Sequence, residues 1–434
     1  LADQTREPTN SKMFESPKRL KRALMVIQDG VGDRPVRSLG GKTPLEIADT
    51  PNFATLARTG MCGLMDPVAP GIRVGTDVGH LALFGYEPLK TYCGRGPIEA
   101  VGIDLDLKPG DVAFRANFAT VGEDLTIISR RAGRIRKGTS ELAASLNGMK
   151  LSDGTEVIFK EATEHRAVLV LRGNSLSPLV TPSDPGPGME GEKVLKMLPL
   201  APTSDAQAKT AQLAEEFSAR AHELLHNHPV NLSRQNKGLP PANYILLRGA
   251  GVKREMRTLT ERFNIRGACV VAESTIKGVA KLAGFTVITD PAFTANLDTD
   301  VIGKAKKALE ALENHDFVVI HFKGPDIASH DNKPLEKVRF IEKVDGACGY
   351  ILDNLSQPDT TYLALTADHS TPCEVGEHTA DPVPVLISGY GILADRVDSY
   401  DERSCAEGAL GRINANEFLL SVLDLIDASY RIGC

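Results

Sequence analysis

The chain has 434 residues, 42% of them apolar and 24% charged, the proportions of an ordinary globular protein, which exclude a wholly disordered, collagenous or coiled-coil chain. A net charge of −6, no Trp and 5% aromatic residues argue against nucleic acid as a partner, because phosphate affinity needs surplus Lys and Arg and base stacking needs aromatic rings. No apolar run approaches the roughly 18–20 residues of a membrane helix, and no charged-then-apolar leader opens the chain, so neither a membrane partner nor secretion is expected.

Residues 1–19 are polar and aperiodic, and a disordered tail is expected there. The chain then turns apolar in ALMVIQ (23–28), a continuous run that suits a strand buried on both faces, as in a parallel sheet. Within APGIRVGTDVGHLALFGY (69–86), Asp77–Phe84 reads as a helix, with Gly71 and Gly75 allowing a tight turn before it. From about Asp111 to Thr181 come shorter, alternating strands (DVAFRANFATV, DLTIIS, TEVIFK, RAVLVLRG), the pattern of an antiparallel α+β insertion. TPSDPGPGMEG (181–191) is rich in Pro and Gly and reads as a hinge loop. A helix over Ser204–Asn227 and a polar link to Asn243 follow. From Tyr244 the α/β pattern resumes. Helices are predicted over Asp300–Asn314 and Lys337–Leu355, apolar strands at FVVIHF (317–322), YLALTA (362–367) and VPVLIS (383–388), and a closing helix over Asn416–Ile426. Strands alternating with helices predict an α/β fold: a doubly wound, mainly parallel sheet with an inserted, smaller α+β cap domain. The expected boundaries are 20–110 and 242–434 for the core, and 111–241 for the cap with its connector helix. The seven Cys are scattered, with no CxxC pair, so free thiols and a cytoplasmic location are expected.

In open α/β sheets, ligands bind beyond the carboxyl ends of the strands. ALMVIQ ends at Asp29, FVVIHF leads to Asp326 and His330, YLALTA ends at Asp368-His369, and His378 precedes VPVLIS. If a helix begins near 326, Asp326 and His330 share a face at i and i+4. Mixed Asp and His donors suit divalent Mn, Zn, Co or Fe, with all-oxygen Mg less favoured. Three Asp and three His exceed one tetrahedral shell and predict two ions. Singly, an Asp at a strand end is commonly a helix cap and a neighbouring His a hydrogen-bonded core residue; their joint arrival at one rim favours metal.

Thr76 opens the helix after Gly75, where N–H groups and the positive end of the dipole favour an alkoxide or a phosphoryl group. It is a candidate nucleophile that needs activation, as by a divalent cation; the plainer alternative is a helix cap. His80, one turn on, is a candidate base or, preferably, a structural residue. SRRAGRIRKG (129–138) is a dense basic cluster in an acidic chain, and Arg forks match carboxylate and phosphate; Arg136 and Lys137 also fit a solvated hairpin. His222-Glu223-Leu224-Leu225-His226 matches the HExxH pattern of zinc proteases. Leu213, Phe217, Ala221 and Leu224 read as the apolar stripe, however, which leaves both His towards the polar side of a connector helix. GRGPIEAVG (94–102) lacks the GK[ST] ending of a nucleotide P-loop.

Several motifs stand in order: DGVGDRP (29–35), TPLEIADTPNFATLARTG (43–60), residues 69–86 above, GRGPIEAVGIDLDLKPGDVAFRANFATV (94–121), RRAGRI (130–135), HFKGPDIASHD (321–331), TADHSTPC (366–373) and EHTADPVPVLISG (377–389). Together they resemble the archaeal-type cofactor-independent phosphoglycerate mutases of the alkaline phosphatase superfamily, from about Arg22 to the C-terminus. The resemblance implies an alkaline-phosphatase-like core and interconversion of 3-phosphoglycerate and 2-phosphoglycerate, a step of glycolysis and gluconeogenesis, without 2,3-bisphosphoglycerate. It implies two divalent ions (Mn, Zn, Co or Mg), one on Asp29, Thr76, Asp368 and His369, the other on Asp326, His330 and His378. Thr76 would take the phosphoryl group in a covalent intermediate, with Lys323 and Arg95 also catalytic. Arg95, Arg115, Arg131, Arg134 and Lys323 are the candidates for contacting the carboxylate and phosphate of phosphoglycerate. The family's usual nucleophile is Ser, where this chain has Thr76, and a His usually follows the Asp-Pro of SDPGPGMEG (183–191). A metal-dependent phosphatase or phosphodiesterase with the same core is the alternative, and a metal-stabilised binding protein a third; self-association into a homo-oligomer is left open.

Overall fold

Every residue of the first strand, Arg22–Gln28, is buried, as an unbroken apolar run requires when both faces of a sheet are covered. The computed structural model of the chain describes residues 21–186 and 188–430; the tail expected over 1–19 lies outside them. In chain order the strands are β1 (Arg22–Gln28), β2 (Gly60–Asp66), β3 (Val112–Val121), β4 (Ile127–Ser129), β5 (Glu156–Glu161), β6 (Arg166–Arg172), β7 (Tyr244–Gly251), β8 (Gly267–Val270), β9 (Thr286–Ile288), β10 (Phe317–Phe322), β11 (Thr361–Thr366), β12 (Val383–Ser388) and β13 (Gly411–Asn414).

Among the described residues, two sheets organise the chain. The larger has eight strands in the order β13-β2-β12-β11-β1-β10-β8-β9. Its pairings are parallel except where β12 runs antiparallel to β11 and β2. The protein is thus α/β with a mainly parallel sheet. The reversal of β12 has a functional consequence. The start of an antiparallel strand lies at the rim where its parallel neighbours end, so His378, which precedes β12, shares the rim of residues that follow β1, β10 and β11.

The smaller sheet is antiparallel and five-stranded: β4-β3-β6-β5, with β7 also paired to β3. It has its own apolar core, in which Phe114, Phe118, Phe159, Leu169 and Leu247 pack with Phe217 of the helix Asp205–His226. This corrects the expected boundary at 242. β7 belongs to the cap sheet, because its register against β3 (Ala119 opposite Tyr244, Ala116 opposite Leu247) buries Ile245 and Leu247 there. The stripe of the connector helix is also corrected. Leu225 is buried with Leu213, Phe217 and Ala221, whereas Leu224 is exposed, because the i, i+4 spacing from Phe217 through Ala221 lands on 225. His222 donates from Nδ1 to Asn243 O (2.7 Å) and packs against Tyr244, so this pattern is a packing feature of the cap.

Among the described residues, Cys62, Cys93, Cys269, Cys348, Cys373 and Cys405 are free and buried, and no helix is long and apolar enough to cross a membrane.

Candidate active site

The rim of the large sheet gathers the predicted residues. Gly30 lets the chain turn after β1: its φ is +64°, and a Cβ there would meet Thr371 Oγ1 at 2.6 Å and Asp326 Oδ1 at 2.8 Å, so only glycine permits the loops to close this tightly. Asp326 and His330 lie on the helix Gly324–His330 that follows β10. The helix Thr76–Leu83 begins at Thr76, with Gly75 as N-cap and no side-chain cap bond. The Thr76 hydroxyl is therefore not spent on capping. Its Oγ1 instead lies 3.1 Å from Lys323 Nζ and 3.3 Å from His369 Nε2, close to the first N–H groups of a helix, which have no intrahelical acceptor.

Lys323 is the hub of the site. Its ammonium donates to Asp29 Oδ1 (2.9 Å) and Thr76 Oγ1 (3.1 Å) and pairs with Asp326 Oδ2 (2.7 Å). Burial works against its charge, yet Asp29, Asp326 and Asp368 hold its pKa well above the ordinary lysine range. Burial and the charge of Asp368 push the Asp29 carboxyl up. Asp326 is held low despite its burial, chiefly by Lys323.

The donor set fits divalent cations. Thr371 Oγ1 donates to Asp326 Oδ1 (2.8 Å), so its single proton is used and it accepts from His369 Nδ1 (3.0 Å). That fixes the proton of His369 on Nδ1, and burial keeps the ring neutral, with its pKa pushed down to about 3. The Nε2 lone pair then faces Asp29 Oδ1 at 3.5 Å and Asp368 Oδ2 at 3.3 Å. Asp368 Oδ2 is buried and has no hydrogen-bond partner. His330 and His378 donate from Nδ1 to the carbonyls of Gly376 (2.7 Å) and Val74 (2.9 Å). When neutral, each turns its Nε2 lone pair to Asp326 Oδ1, at 3.4 and 3.5 Å. Lone pairs facing carboxylate oxygens in a buried site repel unless positive charge lies among them, and an Nδ1 bond to a backbone carbonyl is how metal-binding imidazoles are oriented. The ligand atoms of Asp29, Asp368 and His369 lie within 4.8 Å of one another, as do those of Asp326, His369 and His378. His369 thus stands in both groups, and His330 reaches the second through Asp326 and a ring contact with His378 (centroids 5.2 Å apart).

Two histidines complete the surroundings. His321, on β10, contacts Asp29 Oδ2 at 2.9 Å. His80 Nδ1 bonds the carbonyl oxygen of Thr76 at 2.7 Å and lies 3.2 Å from Asp368 Oδ2. It addresses the backbone of Thr76, not the hydroxyl, which is the geometry of a structural residue rather than a base.

The cap and the core helix Arg95–Gly102 contribute arginines. Arg115 (β3) lies 3.3 Å from Glu99, and Arg95 bonds Glu99 (2.9 Å) and Thr275 (3.4 Å). Arg95 is thus hydrogen-bonded into this buried network. Arg131 and Arg134 are exposed and line a cavity of about 330 Å³ with Ser129, Arg130 and Glu190. Arg130 is buried in a two-pronged pair with Asp184 (2.8 and 2.7 Å). Arg136 pairs with Glu164 at 2.9 Å and is largely exposed.

Sequence reasoning missed Arg166, Arg248, His165 and Glu273. Arg166 pairs with Glu273 at 3.2 Å. Arg248 faces Arg115 across β7 and β3, and the Nε atoms of both are buried without a hydrogen bond. His165 is buried with Nδ1 unpartnered; burial and the charges of Arg166, Arg131, Arg115 and Arg130 push its pKa down to about 3. A usable signal was present, since Arg115 and Arg248 interrupt otherwise apolar strands.

Comparison with known proteins adds a family. A model of the 2,3-bisphosphoglycerate-independent phosphoglycerate mutases matches residues 57–231. The chain is 44% identical over 416 residues to the 2,3-bisphosphoglycerate-independent phosphoglycerate mutase of Thermococcus kodakarensis, covering 95% of this chain and 99% of the relative. With the enzyme of the same name from Methanopyrus kandleri it shares 46% identity over 421 residues, 95% and 98% of the two chains. Among solved structures it is similar to a protein from Pyrococcus horikoshii (TM-score 0.82, 38% identity, 95% of this chain and 99% of that one). It is also similar to the cofactor-independent phosphoglycerate mutase of Thermoplasma acidophilum (TM-score 0.66, 34% identity, 94% and 100%).

Proposed function

The chain belongs to the 2,3-bisphosphoglycerate-independent phosphoglycerate mutase family, and on that footing we propose that it is an isomerase interconverting 3-phosphoglycerate and 2-phosphoglycerate through a phospho-Thr76 intermediate. The observation that carries the proposal is the position of Thr76 Oγ1, at a helix N-terminus and 3.1 Å from the Lys323 ammonium. It lies beside two carboxylate–imidazole groups whose lone pairs face one another.

In this scheme Asp29, Asp368 and His369, with Thr76, would hold one divalent cation, and Asp326, His330 and His378 the other. When bound, two such cations supply Lewis-acid charge that acidifies a hydroxyl and offsets charge on a phosphoryl group in transfer. Lys323 steadies the developing Thr76 alkoxide by donating to it. The bond between phosphorus and the glycerate oxygen breaks as the bond from phosphorus to Thr76 Oγ forms, and the departing oxygen ends with the hydroxyl proton. The glycerate turns within the closed site. Its other hydroxyl then attacks the phospho-Thr76, and a proton returns to Thr76. No water is consumed, so the site must exclude it while the glycerate is held.

The arginines at the junction of cap and core suit that holding role. Among the ion pairs of the described residues, Arg95, Arg115, Arg130, Arg166 and Arg248 share three carboxylates, Glu99, Glu273 and Asp184, the last lying 3.6 Å from Arg248 as well. Directly opposed like charges, as at Arg115 and Arg248, are unfavourable in a sheet, and a small trianion relieves them. Arg131 and Arg134 extend the same positive surface to the cavity rim.

The test is a mutase assay with enolase-linked detection of 2-phosphoglycerate, run beside an assay for inorganic phosphate, with Mn²⁺ or with chelator. Metal-dependent 2-phosphoglycerate without phosphate release is expected. Phosphate release without 2-phosphoglycerate would overturn the proposal in favour of a phosphatase.

A further inference from the structure

Lys337 lies within the helix Pro334–Asn354, and its side chain is wholly buried. Its ammonium is surrounded by oxygens from two loops. It donates to Gly30 O at 3.0 Å, Asp33 Oδ2 at 2.8 Å and Thr371 O at 3.1 Å, with Gly32 O at 3.5 Å. The first loop carries Asp29 and the second carries Asp368 and His369. The loops also meet directly: Gly30 N donates to Asp368 Oδ1 (3.2 Å), Thr371 N to Gly32 O (3.0 Å) and Cys373 N to Asp33 Oδ1 (3.1 Å). At Gly32 a Cβ would run into Ser370, so the approach is as close as the backbone allows.

Carbonyl and carboxylate oxygens converging from two loops repel one another, and a buried set of them demands a compact positive charge. An ammonium, with three donors and no acceptor, meets that demand as a small monovalent cation would. We propose that Lys337 is a positioning residue whose ammonium serves as a built-in monovalent cation. It clamps the Asp29 loop to the Asp368–His369 loop at the spacing that takes a divalent ion. The idea rests on the metal-binding role proposed above for Asp29, Asp368 and His369. Without the clamp the two loops separate, and the donor set is no longer preorganised.

The experiment is calorimetric titration of Mn²⁺ into the chelator-stripped full chain, as wild type, Lys337→Met, Lys337→Ala and Lys337→Gln, with folding verified by urea denaturation. Supporting groups of this kind change metal affinity by roughly 10–100-fold, and a loss in that range is expected for Lys337→Met. In Lys337→Ala the vacated space admits a small cation, so ammonium chloride restores most of the affinity. Tetramethylammonium chloride at equal ionic strength does not, and neither salt helps Lys337→Met, whose side chain fills the space. Lys337→Gln keeps two N–H donors without charge and shows the same direction of loss if Lys337→Met does not fold. A folded Met or Gln variant that binds Mn²⁺ as tightly as wild type overturns the proposal, and so does a loss in Lys337→Ala that ammonium leaves untouched. Absence of Mn²⁺ binding in wild type would instead refute the metal-binding role itself.

Discussion

Glu99 offers a quantitative test of how the cap is tied to the core. It lies on the helix Arg95–Gly102 with its side chain fully buried. Its Oε1 accepts from Arg95 at 2.9 Å and lies 3.3 Å from Arg115 on the cap strand β3. Burial alone would raise its pKa, but Arg115, Arg95 and Arg166 overcome that and hold it at about 2, against an ordinary 4.5. The arginines stay charged throughout, as guanidinium does in proteins. A carboxyl held that low retains about 3 kcal/mol of charge interaction at neutral pH. Because the folded group titrates below the unfolded one, this stability is fully present above about 4.5 and is lost as pH falls towards 2. Glu99→Gln removes the charge with almost no change of shape, and its NH₂ can take the site of Oε2, which has no partner in the native protein. Urea denaturation at pH 7 should therefore find the variant about 3 kcal/mol less stable, with the gap to wild type closing between pH 4.5 and pH 2. A gap that is absent at pH 7, or that stays constant as pH falls, would refute the assignment of Glu99 as a charged tie.

Other outcomes follow from the site and the core. Thr76→Ala should abolish mutase turnover in the enolase-linked assay, while Thr76→Ser, which keeps the hydroxyl and drops the methyl group, should retain or raise it; wild-type rates in Thr76→Ala would remove this residue from the chemistry. Arg131→Ala and Arg134→Ala should raise KM for phosphoglycerate more than they lower kcat, since both line the cap cavity rather than the rim that holds Thr76; an unchanged KM in steady-state kinetics counts against a substrate role. Lys304 is buried and donates to His321 O at 2.8 Å, and burial pushes its pKa down to about 7 from 10.5. The unfolded chain binds more protons than the native one between those values, so stability should rise with pH from about 7, by on the order of 2 kcal/mol up to pH 9. Lys304→Met should flatten that rise in denaturation curves taken across the range, and a slope equal to wild type would contradict it.

The sequence by itself determined the elements whose cause is local. Unbroken apolar runs at β1, β10, β11 and β12 read as buried strands because a strand covered on both faces needs no polar alternation. The polar residues that follow such runs mark the rim from sequence alone. Thr76 could be placed at a helix start because Gly75 and the apolar spacing after it are neighbours in the chain. Shorter strands such as β8, β9 and β13 escaped, having too few residues for a period to show. Tertiary structure alone decided which partners these residues meet. Lys323 reaches Asp29 across 294 positions, and no window of sequence carries that contact. The antiparallel course of β12, which delivers His378, depends on which edge accepts the strand, and the same holds for β7, whose residues would suit either sheet. The burial of Glu99 against Arg115 and of Lys337 among four oxygens is likewise invisible beforehand. A charged residue in a helix reads as solvated until the packing around it removes the water, and only then does its charge determine how firmly the site is held.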